Sequence, residues 1–95
     1  MPLLTIMAKI TAKQNSIEEV RTELLKLVEP TCREKGCVDY ILHQDLEDSS
    51  VILLYENWES NEDLEAHMKT KHFKECFSEI EGLYEIEVHR LTKIS

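Results

Sequence analysis

The period of the hydrophobic positions switches along this chain between two and about 3.6, and each switch predicts a change of element. Residues 3–12 alternate and are rich in aliphatic and β-branched side chains, which predicts a first strand. Asn15 or Ser16 then offers a side-chain cap, and Glu18 and Glu19 fall in the first helical turn, where the helix dipole favours anions. Ile17, Val20, Leu24, Leu27 with Val28, and Thr31 recur at helical spacing, so an amphipathic helix is expected over 16–34. Pro30 is expected to kink or loosen its last turn, and Gly36 to end it. Residues 37–46 read as a second strand, Glu47-Asp48-Ser49-Ser50 as a turn, and 51–58 as a third strand pairing back on the second. Ser60-Asn61-Glu62-Asp63 opens a second helix with Leu64, His67 and Met68 on one face. A break near Thr70-Lys71 leads to a further helical segment carrying Phe73, Phe77 and Ile80, which Gly82 stops. Residues 84–94 form the last predicted strand, with Tyr84, Ile86 and Val88 on one face and Glu85, Glu87 and His89 on the other.

The order is β-α-β-β-α-β, an α+β chain of the ferredoxin-like, split βαβ kind. One four-stranded antiparallel sheet then carries the helices on a single face, and residues 1–95 make one domain. The other face needs an explanation. In 51–58 both parities are largely apolar (Val51, Leu53 and Tyr55; Ile52, Leu54 and Trp58), and the first strand reads similarly. A half-exposed antiparallel strand should alternate, whereas one covered on both faces need not. A second copy of the chain is the simplest cover, so a homodimer is expected.

Length and charge sharpen this picture. At 95 residues the core is thin unless a partner extends it. The net charge of −8 leaves no basic stripe to replace counterions along phosphates, which argues against nucleic acid, and it disfavours anionic membranes. Met1-Pro2-Leu3-Leu4-Thr5-Ile6 lacks the basic and apolar regions of a secretory leader, and no apolar run approaches the ~20 residues of a membrane span. Cys32, Cys37 and Cys76 are odd in number with no CxxC spacing, so neither a disulfide framework nor a structural zinc site is expected. Free thiols fit a reducing compartment, and a cytoplasmic location is the expectation.

Candidate chemistry is concentrated in Leu54-Tyr55-Glu56-Asn57-Trp58-Glu59-Ser60, then Ala66-His67, then Thr70-Lys71-His72-Phe73. On the neighbouring strand, Tyr40 and His43 have opposite parity, so only one can face the helices. Glu56 alternates with apolar neighbours, and a carboxylate turned inward needs a partner or a raised pKa, either of which suits a base. His67 and His72 lie five apart across the break; imidazole as a side-chain type changes charge near neutral pH, so either could serve as a base or oxyanion stabiliser, or merely cap a helix end. A metal reading from His67, His72 and Glu56 lacks HExxH or similar spacing, so no metal is expected. Trp58, Tyr40 and Phe73 suit either core or cavity wall.

The pattern Gly36-Cys37 … Tyr40 … His43, Tyr55-Glu56-Asn57-Trp58-Glu59-Ser60, then Ala66-His67 … His72-Phe73 resembles the antibiotic biosynthesis monooxygenase (ABM) domain, most nearly its small stand-alone quinol monooxygenase type. The resemblance spans essentially the whole chain and implies a dimeric α+β barrel, with a pocket between each sheet and its own helices. It also implies a monooxygenase that oxidises a small aromatic or quinol-like substrate with O2 and no cofactor. Its site would hold His67, His72 and Glu56 as catalytic groups, and Tyr40, His43, Trp58 and Phe73 against the substrate. Haem is not implied, because Ala8 and Phe77 stand where haem-degrading members carry Asn and an axial His. Leu54 and Leu64 likewise replace the Asn and Tyr of the aromatic-polyketide members. The paired His67 and His72 resemble a branch that isomerises a small phosphorylated carbonyl compound related to autoinducer-2. That isomerase and a non-catalytic dimeric ligand-binding module are the alternatives.

Overall fold

Strand β1 (Leu4–Ala12) alternates as a half-buried strand should: Ile6, Ala8, Ile10 and Ala12 are buried, while Met7 and Lys9 are exposed. In the computed structural model, which describes residues 3–95, β1 lies inside an antiparallel sheet with β2 (Cys37–Gln44), β3 (Val51–Trp58) and β4 (Tyr84–Leu91). The strand order is β2-β3-β1-β4, leaving β2 and β4 at the edges. Helices α1 (Ile17–Cys32), α2 (Asn61–Met68) and α3 (Lys71–Glu79) contribute Val20, Leu24, Leu27, Leu64 and Cys76 to one core with the inward residues of β1 and β3. The order is thus β-α-β-β-α-α-β, the expected α+β arrangement with its second helix divided. Among the described residues no helix is long and apolar enough to cross a membrane; the leader reading at Met1 and Pro2 lies outside them.

Several boundaries differ from expectation for local reasons. Ser16 makes no side-chain cap to α1, because a 3-10 turn over Gln14–Ser16 leads into the helix and the Ser16 hydroxyl turns to Asn15 instead. Pro30 lies inside α1, which ends two residues later, so the missing N–H falls in the final turn. Strands β2 and β4 stop at Gln44 and Leu91, short of 46 and 94. The expectation that β1 is apolar on both faces is corrected: its outward residues are Thr5, Met7, Lys9 and Thr11. Strand β3 does keep large apolar groups on both sides, Ile52, Leu54 and Trp58 inward and Val51, Leu53 and Tyr55 outward.

Gly36 joins α1 to β2 at a φ of +83° and its carbonyl accepts the Glu59 N–H, 2.8 Å away. A Cβ there would collide with the Asp63 carboxyl. Asp63 receives the Ser60 hydroxyl at 2.9 Å and donates its own N–H to that hydroxyl at 3.1 Å, so the collision would disturb the cap of α2. Gly36→Ala should therefore cost roughly 2 kcal/mol, from the left-handed φ and the disturbed cap together. A thermal melt should show a Tm fall of roughly 10 °C; an unchanged Tm would refute this account of the turn.

Candidate functional site

Between the sheet and helices α2 and α3 lies a cavity of about 350 Å³. Ile6, Ala8 and Leu54 form its apolar floor, and Tyr40, Glu56 and His67 bring polar atoms to it. It opens along β4, where Ile86 and Val88 face it yet remain half exposed because β4 is an edge strand.

The register places Tyr40 and Glu56 directly opposite each other across β2 and β3, both turned toward the helices. A bulge between Cys37 and Asp39 precedes Tyr40, so the opposite parity of Tyr40 and His43 survives. Glu56 is buried, and its Oε1 accepts the Trp58 indole N–H at 2.8 Å. Burial pushes the Glu56 carboxyl up to about 7; the indole N–H opposes this and the Glu34 charge adds to it. Burial likewise raises the Tyr40 phenol, so it stands in the cavity as a neutral O–H donor.

His67 is enclosed by aromatic rings, with centroids 4.9 Å from Trp58, 5.0 Å from Phe73 and 5.6 Å from Tyr40. Burial lowers its pKa against the raising influence of Glu34, which favours the neutral ring. Its Nδ1 lies 2.8 Å from Glu34 Oε2, and His72 Nε2 lies 2.6 Å from the same oxygen. On one continuous helix, residues five apart would point roughly 140° apart. Thr70 removes that obstacle: its hydroxyl donates to the His67 carbonyl at 2.7 Å and accepts the Phe73 N–H at 3.3 Å, ending α2 and capping α3.

Of the residues expected from sequence, Tyr40, Glu56, His67 and Phe73 line the cavity. Trp58 is fully buried against His67 and holds Glu56. His72 joins only through Glu34. His43 does not join: it pairs with Leu53 on the outward face and is exposed, since three residues on from Tyr40 a strand has reversed its side. The cysteines stay outside the chemistry, and burial raises Cys37 to about 11 and Cys76 to about 12, keeping both as thiols.

Two residues escape a sequence reading. Glu34 sits just beyond the C-terminal end of α1, where the helix dipole disfavours an anion, and that misplacement was the available signal. Arg90 ends the inward row of β4 at the cavity mouth, its Nη2 donating to Asn61 Oδ1 at 2.6 Å. Among the described lining residues it is the one guanidinium or ammonium group.

The family model described as "Antibiotic biosynthesis monooxygenase" matches residues 3–79. The chain is 29% identical over 91 residues to an Escherichia coli K12 protein named "Probable quinol monooxygenase YgiN", covering 84% of this chain and 86% of that one. It superposes on the crystal structure of PA3566 from Pseudomonas aeruginosa with a TM-score of 0.96 and 34% identity, covering 100% of this chain and 97% of the other. Rv0793 from Mycobacterium tuberculosis shares the fold at a TM-score of 0.90 and 20% identity, over 98% and 96% of the two chains.

Proposed function

The chain belongs to the antibiotic biosynthesis monooxygenase family, and we propose that it oxidises a small quinol-like aromatic with O2 in the cavity beneath α2 and α3. The observation that carries this reading is the pairing of a carboxyl raised to about 7, Glu56, with a buried neutral imidazole, His67, at one apolar cavity. The name of the E. coli relative points to the same substrate class.

The chemistry asked of the protein is proton transfer. With His67 Nδ1–H directed at Glu34, the lone pair of Nε2 is left on the cavity side to accept a phenolic proton. The resulting anion is electron-rich enough to reduce O2 itself. A ring carbon forms a bond to oxygen, and loss of water cleaves the O–O bond. A quinol carrying one ring C–H plus O2 thus gives a hydroxyquinone plus H2O, with all four electrons drawn from the substrate. Tyr40 O–H and protonated Glu56 can stabilise the developing peroxide and supply the proton that leaves with water. Apolar walls exclude competing solvent.

Oxygen-electrode measurements with 1,4-naphthoquinol, coupled to 18O2 labelling, test the reading. One labelled oxygen should appear in the product and the other in water, and His67→Ala should slow this by about 10² or more. Unlabelled product, or equal turnover without oxygen, would sink it. Arg90 at the mouth favours one rival: an anionic group on a small carbonyl compound, isomerised by the same bases. Anaerobic turnover of a phosphorylated dione would select that rival.

Glu34 is a positioning residue in this scheme. Glu34→Gln should lower kcat by roughly 10-fold to 100-fold with KM little changed, because the imidazole loses the anion that orients it. Its pH profile should shift as well, since Glu34 acts on both His67 and Glu56. A parallel rise in KM with constant kcat would contradict this role. The proposal also includes a second copy of the chain covering the outward sheet face.

A further inference from the structure

Behind the cavity wall, Glu34, His67 and His72 bring one carboxylate oxygen and two imidazole nitrogens within 4.8 Å of one another. They come from three separate places: the end of α1, the last turn of α2 and the first turn of α3. None of the three side chains is free in solvent; exposures are 13% for Glu34, 2% for His67 and 28% for His72. From these three residues we infer a binding site for a divalent first-row cation of the zinc class, held by His67 Nδ1, His72 Nε2 and a Glu34 carboxylate oxygen.

Two imidazoles with one carboxylate are a ligand set suited to such ions, softer than the all-oxygen cages of Ca²⁺ or Mg²⁺. Ligand bonds of about 2.0–2.2 Å in a tetrahedron hold neighbouring ligand atoms about 3.3–3.6 Å apart. The present separations of 2.8 and 2.6 Å are hydrogen bonds, so these ligand atoms need retreat by about 0.5–1 Å. Both imidazoles can coordinate while neutral, each carrying its proton on the other nitrogen. His72 is the most exposed of the three, which gives the ion its way in and leaves room for a water as fourth ligand.

The ion lies on the far side of the His67 ring from the cavity. His67 lines the cavity, whereas Glu34 and His72 do not. Coordination through Nδ1 fixes the proton on Nε2, turning the cavity-facing nitrogen from acceptor to donor. Occupancy therefore switches His67 off as a base without filling the substrate space. This last consequence rests on the function proposed above; the site itself does not.

Metal-stripped protein titrated with Zn²⁺ in a calorimeter should bind one ion per chain. Crystals soaked with Zn²⁺ should show an anomalous peak between the three side chains. Glu34→Gln and His72→Ala should each weaken binding by roughly tenfold or more, with circular-dichroism melts verifying that both fold. An absent anomalous peak at these residues, or affinity unchanged in both folded variants, would overturn the site. Non-competitive Zn²⁺ inhibition of quinol oxidation would support the switch. Binding at the peak without inhibition would uphold the site and overturn the role of His67 as base.

Discussion

Glu56→Gln should make the protein more stable at pH 8 and nearly inactive. The carboxyl is raised from 4.5 to about 7 chiefly by burial, so the native state holds a proton more tightly than the unfolded chain does. Stability contributed by this group is then complete below pH 4.5 and is lost as pH rises through about 7. The loss is on the order of 3 kcal/mol across that window. A glutamine carries no charge to desolvate, and its oxygen can still accept the Trp58 N–H. Its amide adds a buried donor, which returns about 1 kcal/mol of the gain. The net expectation is about 2 kcal/mol at pH 8 and a Tm higher by roughly 10 °C, a gain that shrinks as pH falls through about 7 and reverses to a deficit of about 1 kcal/mol near pH 4. Other groups around the cavity (Tyr40, His67, Glu34 and Arg90) remain in both proteins, so the difference between the two curves isolates Glu56. Turnover should fall by about 10² to 10⁴. Superimposable stability curves from pH 4 to 8 would show that the carboxyl is not held in its protonated form by the fold.

The elements were legible in the sequence because each has its own period: Val20, Leu24 and Leu27 repeat as a helix, and Ile6, Ala8 and Ile10 as a strand. The inward turn of Glu56 was legible from parity alone, as was the choice forced between Tyr40 and His43. What parity could not decide was which of those two faces the helices, because that depends on registering β2 against β3 past the bulge at Cys37 and Asp39. Glu34 was illegible for a different reason. It meets His67 and His72 across 33 and 38 residues of sequence, and only tertiary packing creates that contact. The first strand differs from the expected two-sided apolar pattern because Met7 shares its outward side with Thr5, Lys9 and Thr11. That correction narrows the evidence for a partner to one stripe of the sheet.

Tyr55→Glu should split the proposed dimer, because Tyr55 lies at the centre of that stripe. Across β2, β3 and β1 the register sets Ile41, Tyr55 and Met7 side by side on the outward face. Ile41 and Met7 are 45% and 41% exposed in the single chain, far more than apolar residues of a sheet centre need be. Rows to either side are mostly polar, Leu91 beside Thr5 being apolar. One holds His43, Lys9 and Glu87 around Leu53; the other holds Thr5, Asn57 and Asp39, joined by hydrogen bonds of 2.5 and 2.9 Å. An apolar stripe flanked by Lys9 and Glu87 can meet its own copy about a two-fold axis, burying the stripe and setting opposite charges within reach of each other. A carboxylate at position 55 would face its twin across that axis in a desolvated layer, a like-charge contact costing several kcal/mol. Light scattering should then give two chains for the natural protein and one for the variant. Because a 95-residue core is thin alone, the variant's Tm should drop by more than roughly 10 °C and its turnover should fall with it. Conservative Tyr55→Phe should keep the dimer, since the stripe rather than the hydroxyl carries the contact. A natural protein that remains a single chain at high concentration, with full turnover, would refute the paired sheet.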